Sequence, residues 1–349
     1  MAQTPAPIPF AEPAPPRHRL ARRVLRYALP VVVIVAAAGI WQRERLWIWY
    51  CAERLERASE EGRGAWAERL AAAGEPAIPT LLGMLRHDDP GVCASAKGAL
   101  EVMTAGWAKD DPRRAAFAHR FVDAEPRFST PGRAAALELL PRVVTAAPDL
   151  ADRAKAMVAT AAKSESVDVR VQAVAAALRP ELDCVELVIP LLTDPAPEVR
   201  RAAVLAAGAP RDGARSVVSD DELLRCLHDA DAEVRHLCEM GLRSRGRTPR
   251  DIRLGRRFTA PDPAERQKLL LDLADEEDLD VTVWLERLTA DTDPAVRAGA
   301  ARLVVDRSPD LRARLEEMSR SDPDTTVRRI ADYYRRKLLA SRQFESGPR

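Results

Sequence analysis

The stretch VELVIPLLTDPAPEVRRAAVLAAG, residues 185–208, decides how this chain folds. Val185, Val188, Ile189 and Leu192 fall on one side at the i, i+3, i+4, i+7 spacing of an amphipathic helix. Asp194-Pro195 stops that helix, and Pro197 opens a second run in which Val199, Ala202, Ala203 and Ala206 keep the same spacing. Gly208 then stands where a left-handed cap would end the second helix. Two antiparallel helices joined by an acidic turn are the predicted unit.

The unit recurs along the chain. DADAEVR ends at Arg235, DPAVR at Arg297 and DPDTTVR at Arg328, with SVDVR at Arg170 and, less closely, STPGR at Arg133 and DPAER at Arg266. From Arg133 these arginines step by 37, 30, 35, 31, 31 and 31 residues, and HDDPGVC carries the series back to Cys93 in the arginine place. VTVWLERLTADTDPAVRAGAARLVV from Val281 and DLRARLEEMSRSDPDTTVRRIADYY from Asp310 repeat the whole plan. A period of 30 to 40 residues marks an array in which one unit cannot hide its apolar face alone and must stack on its neighbours. Small residues at fixed places in the second helix, such as Ala203 and Ala300, let adjacent helices come close.

Helix, D-P-x-x-V-R turn and Ala-rich helix at about 31 residues resemble the short HEAT repeats, the subtype also found in the phycobilisome lyases. The likeness covers roughly Glu75 to Leu339. It implies an all-α, right-handed α-solenoid of about eight helix pairs with a concave surface that binds protein. It also implies that the turn arginines (Arg133, Arg170, Arg200, Arg235, Arg266, Arg297, Arg328) hydrogen-bond turn aspartates of their own or the adjacent unit, with Asp194, Asp229, Asp293 and Asp322 as the matching acceptors. An alternative carried by the same likeness is a bilin lyase or other modification enzyme.

Ahead of the array the chain changes character. Six prolines in the first sixteen residues favour an extended, solvated tail, and Arg17, Arg19, Arg22, Arg23 and Arg26 follow. Tyr27 to Trp41, YALPVVVIVAAAGIW, carries no charge. Fifteen helical residues reach about 22 Å against a hydrocarbon slab of roughly 30 Å, so a span needs Arg26 and Arg43 to snorkel. Tyr27, Trp41, Trp47, Trp49 and Tyr50 are interface-seeking rings. A cleaved signal peptide ending at Ala36-Ala37-Ala38 and a buried soluble helix are the competing readings; an uncleaved anchor is preferred because apolar residues continue past Gly39. The predicted layout is a Pro-rich then basic tail over 1–26, a transmembrane anchor helix over 27–50, a connecting helical segment over 51–73, the repeat array over 74–340 and a tail over 341–349. The small arginine excess ahead of the run puts the N-terminus in the cytoplasm and the array outside it.

Composition agrees with stacked helices and narrows the chemistry. Over 349 residues the chain is 46% hydrophobic and 31% charged but only 5% aromatic, which suits Ala/Leu/Val packing rather than a turn-rich β chain. The formal charge of +1 supplies no general field for nucleic acid. Residues 1–57 hold nine arginines against four glutamates, so the rest is slightly acidic. RSRGRTPRDIRLGRR, residues 243–257, has seven arginines but no interleaved aromatic platform, and reads as a solvated face or a surface for an acidic protein rather than a nucleic-acid site. A DNA-binding array stays as a second alternative.

Cys226, His228, His236 and Cys238 supply four zinc-type ligands around one turn. Alignment with the other units puts Cys238 at the place of Ala203 and Ala300 and Cys226 at that of Leu191, so both read as small core residues. The five cysteines are scattered without a C-x-x-C pair, which indicates neither a disulfide framework nor a zinc ribbon. Asp275-Glu276-Glu277-Asp278 reads as a solvated turn, and His87 and His119 as fillers. No nucleophile elbow, phosphate loop or H-E-x-x-H motif occurs. No catalytic, cofactor or metal residue is therefore assigned. The expectation is a membrane-anchored, non-enzymatic scaffold whose array binds another protein, with no nucleic acid and no small-molecule substrate.

Overall fold

The computed structural model describes residues 42–208, 218–276 and 278–345. All regular structure among them is helical. The chain divides into two units, one reaching to Leu139 and one beginning at Leu140.

The first unit opens with two helices, α1 (residues 42–57) and α2 (Glu60–Ala72), followed by α3 (Ile78–Met84), α4 (Pro90–Ala105), α5 (Pro112–Ala124) and the start of α6 (Thr130–Ala146). Ile48, Cys51, Ala52 and Leu55 of α1 are all buried, at the i, i+3, i+4, i+7 spacing of a core-facing stripe. Tyr50 meets Trp66 of α2 edge to face at 5.9 Å. α2 then packs along α4, tied there by Arg63, which holds the N-cap carboxylate of Asp89 at 2.5 Å. The segment ahead of the expected array thus behaves as one more stacked hairpin.

This overturns the single-pass membrane reading, with its cytoplasmic N-terminus and external array. Among the described residues no helix is long and apolar enough to cross a membrane. The run Tyr27–Trp41 lies outside the described residues. The described end of the expected anchor, 42–50, enters α1, where Arg43, Glu44 and Arg45 are exposed and Ile48 points into protein.

The second unit repeats one hairpin. Its pairs are α7 (Ala151–Ala161) with α8 (Val167–Ala177), a 3₁₀ segment (Val185–Thr193) with α9 (Pro197–Gly208), and α10 (Asp220–Arg225) with α11 (Ala232–Ser244). Then come α12 (Pro249–Phe258) with α13 (Pro263–Asp275), α14 (Thr282–Leu288) with α15 (Pro294–Arg307), and α16 (Arg312–Ser321) with α17 (Thr325–Glu345). The second helices stack in chain order, α8 on α9, α9 on α11, α13 on α15 and α15 on α17. All but α13 insert a buried valine ahead of the turn arginine and a small residue after it, such as Val199 and Ala203, Val234 and Cys238, Val296 and Ala300; α13 has Glu265 and Leu269 in those places. Fully burying such an aliphatic side chain contributes about 1.5–3 kcal/mol.

Two local expectations change. The first run of the 185–208 hairpin is a 3₁₀ helix with Pro190 inside it, a residue that brings no backbone N–H to an α-helical ladder. Gly208 is not a left-handed cap. A Cβ built on it would come within 2.8 Å of the Gly241 Cα, so the absence of a side chain on both glycines is what lets α9 and α11 touch backbone to backbone.

Candidate functional site

The turns come first, because they set the register of everything exposed around them. In four places a turn arginine reaches forward to the aspartate of the next turn with both prongs of its guanidinium. Nε and Nη2 of Arg170 bond the Asp194 carboxylate at 2.8 and 2.9 Å, and those of Arg200 bond Asp229 at 2.7 and 2.8 Å. Arg266 holds Asp291 and Arg297 holds Asp322, each at 2.8 and 2.9 Å. The remaining nitrogen, Nη1, donates to two carbonyls of the arginine's own turn; for Arg297 these are Asp291 O at 2.8 Å and Thr292 O at 3.0 Å. Each arginine therefore clamps its own turn and the next, a bidentate, charge-assisted link.

The acceptors differ from expectation in one member. Asp291, six residues before Arg297, takes the Arg266 fork. Asp293 instead caps α15 by accepting from the N–H groups of Ala295 and Val296. Arg133 lies outside the ladder, half exposed and 3.9 Å from Glu125. Cys93, in the arginine place, donates its thiol to His87 O at 3.1 Å and lies 3.9 Å from Ser129 Oγ of the next turn, a neutral version of the same link. Among the described residues Arg235 and Arg328 keep only the own-turn half of the clamp. Arg235 Nη1 bonds Asp229 O and Ala230 O at 2.7 and 2.9 Å, and Arg328 Nη1 bonds Asp322 O and Pro323 O.

Burial raises the carboxyl of Asp194, but hydrogen bonds from Arg170 and the Ala196 N–H outweigh it and hold the group below its ordinary range. Burial is likewise overcome by Arg200 at Asp229 and by Arg297 at Asp322. These groups stay ionised at neutral pH and are occupied, so the ladder is a stacking device.

The zinc-type cluster is dispersed. Cys238 is buried and donates to Leu223 O, Cys226 to Glu222 O, and His228 Nε2 sits 2.8 Å from Arg256 O and 3.2 Å from Thr259 Oγ1. His236 is exposed. Burial pushes the Cys226 thiol up to about 11 and the Cys238 thiol higher, opposite to what a metal thiolate needs. Among the described residues no three His, Cys, Asp or Glu side chains gather as a metal site would require.

The arginine-rich stretch is neutralised within the fold. Arg245 and Arg247 share Asp220, Arg250 and Arg253 share Glu276, Arg257 takes Asp272 and Arg243 lies 3.8 Å from Glu239. Arg256 donates to Leu227 O. Arg245 also caps the end of α9 at Ala207 O, and Arg307 does the same for α13 at Leu273 O and Ala274 O, where the helix dipole favours a cation. Sequence reasoning missed both clamps; their signal was an arginine ten residues after the turn arginine.

Some of what remains exposed and apolar is periodic, although Val102, Val283 and the α1 residues Leu46, Trp47, Trp49 and Tyr50 are not part of the period. Leu205, Met240, Leu271 and Tyr333 each stand five residues after a turn arginine, on α9, α11, α13 and α17, and are 63%, 52%, 67% and 64% exposed. Arg302 occupies that place on α15 and Ala175 on α8. The position lies off the core stripe, so nothing in folding requires an apolar side chain there. A cleft of about 560 Å³, lined by none of Leu205, Met240, Leu271 and Tyr333, separates the 3₁₀ segment from α10, with Ile189, Pro190 and Leu192 on one wall and Arg225, Cys226 and His228 on the other.

No curated protein matches the chain. The X-ray structure of the Escherichia coli protein YibA is similar at 15% identity, covering 80% of this chain and 98% of its own, with a TM-score of 0.40. The crystal structure of an engineered protein is similar at 15% identity over 84% of this chain and 98% of its own, with a TM-score of 0.27. Residues 154–243, the stretch from α7 through α11, match the family model of HEAT repeats.

Proposed function

We propose that this chain is a non-catalytic helical-repeat scaffold that binds another protein through the exposed face of its second helices. The observation that carries the reading is the column Leu205, Met240 and Leu271, three large apolar side chains in the same repeat position on successive second helices and more than half exposed. Scattered surface apolar residues are ordinary, but an ordered row marks an interaction surface. Side chains at that spacing suit a partner segment with apolar anchors of its own, such as an amphipathic helix. The HEAT-repeat match of residues 154–243 supports the same reading, since such repeats commonly mediate protein interactions.

The test is a Leu205→Asp, Met240→Asp, Leu271→Asp triple variant. None of the three is in the core, so the helical circular dichroism and thermal midpoint should stay close to wild type. A partner retained by the wild-type protein should be lost at least tenfold. Equal retention by a folded triple variant would refute the reading.

A further inference from the structure

We infer that the free fork of Arg235 is a carboxylate-binding site, open where the ladder lacks a rung and suited to an acidic side chain of a partner polypeptide. The inference deepens the proposed function and names one contact chemistry for the partner.

The fork is held ready. Arg235 Nη1 bonds Asp229 O and Ala230 O at 2.7 and 2.9 Å, just as Arg200 Nη1 bonds Asp194 O and Pro195 O at 2.8 and 3.1 Å. In Arg200 the other two nitrogens then grip Asp229. For Arg235 the corresponding place in the next turn is Ala260, a methyl group, and among the described residues no acceptor meets Nε or Nη2. The next turn keeps its local conformation: Ala260 O and Pro261 O accept from Arg266 at 2.8 and 3.1 Å, as their equivalents do in the other turns. The register position that supplies a carboxylate to Arg200 thus supplies only the methyl of Ala260 to the preset guanidinium of Arg235.

The surroundings leave room for one. In the packed interfaces, residues one, four and eight after a turn arginine meet the next second helix: Arg201 bonds Asp231, Leu270 lies against Gly299 and Gly208 against Gly241. Between α11 and α13 those places hold His236, Glu239 and Arg243 against Asp262, Lys268 and Asp272. Their charges are neutralised locally, Arg243 by Glu239, Lys268 by Glu265 and Asp272 by Arg257, while Asp262 caps α13 through Ala264 N; none of these pairs crosses from α11 to α13. No packing comparable to that of α9 on α11 joins these two helices. The opposite side stays closed, since His228 bonds Arg256 O and Thr259, Thr259 bonds Leu224 O, and Gly255 abuts Leu224. The seam therefore opens only toward the second helices, where Arg235 is the guanidinium left without a counter-charge. A planar, bidentate anion fits that fork best.

The test uses the full chain with Arg328→Lys throughout, because among the described residues no acceptor meets Nε or Nη2 of Arg328 either. The probe is sodium acetate at pH 7, compared with sodium chloride at equal ionic strength. A ligand that binds only the folded protein raises its thermal midpoint. We expect acetate to raise the midpoint by about 1–2 °C more than chloride, on the order of what weak binding to one fork gives. Ala260→Asp, which supplies the rung from within, should raise the midpoint in chloride and abolish the acetate increment. Arg235→Lys, which keeps the charge but loses the fork, should abolish the increment without the gain and serves if Ala260→Asp does not fold. No increment in the parent, or an equal increment in the variants, overturns the proposal. Acetate needs no partner, so that outcome leaves the Leu205–Met240–Leu271 test untouched.

Discussion

Between α9 and α11, Arg200 and Arg201 each grip a carboxylate of the following turn, at Asp229 and Asp231, and Gly208 lies on Gly241. Between α11 and α13 the same positions offer Ala260, His236 and Arg243, and no comparable packing joins the helices. Both interfaces belong to one unit and one repeat plan. The difference teaches that stacking here is decided interface by interface, by two or three side chains around the turn and one close approach farther along, as expected of a quasi-one-dimensional array.

The comparison breaks most visibly at its strong member. Arg200→Ala should cost about 3 kcal/mol in chemical denaturation, because it strands the mostly buried Asp229 carboxylate. Next is Gly241→Val, expected to cost about 1–3 kcal/mol by forcing α9 and α11 apart, with little loss of helical circular dichroism. Acid should act more mildly on the same rungs. The carboxyls of Asp194, Asp229 and Asp322 are depressed in the folded state, so their stabilisation is complete above the usual carboxylate range of about 4 and is lost as pH falls below it. The thermal midpoint should be level from neutral pH to about 5 and decline below about 4, and Asp229→Asn should flatten that decline. The smallest effect belongs to the seam: Arg235→Ala leaves no carboxylate behind and should stay within about 0.5 kcal/mol of wild type. An Arg235→Ala cost equal to that of Arg200→Ala would erase the distinction between the interfaces.

Much of this was legible before any coordinates. The hairpin, its turn and its buried valines follow from period and spacing, and the arginine column from its recurrence. Asp293 was paired wrongly because the Asp-Pro dipeptide drifts: it begins six residues before Arg200 and Arg328 but four before Arg266 and Arg297, so aligning on proline shifts the acceptor by two. Counting back from the arginine instead leads to Asp291 and exposes the gap at Ala260. The exposed column was readable as an apolar residue five after Arg200, Arg235, Arg266 and Arg328, outside the face formed by Val199, Ala202, Ala203 and Ala206. The aromatic end of residues 27–50 misled for a related reason. Trp47 and Trp49 suit an interface with lipid, but the stripe Ile48, Cys51, Ala52 and Leu55 between them is that of a helix leaning on protein. The 3₁₀ geometry at Pro190 was not legible in the same way, since Pro141 also removes a donor yet lies within the α-helix α6.

The ladder has a direction, and that gives its two ends different fates. Each guanidinium belongs to one hairpin and its carboxylate to the next, so a fragment trimmed from the N-terminal side begins with an orphaned, sheltered anion such as Asp194. A fragment trimmed from the C-terminal side ends instead on a cation with one face open to water, such as Arg297 once Asp322 is removed. Shortening from the back should therefore be tolerated better than shortening from the front.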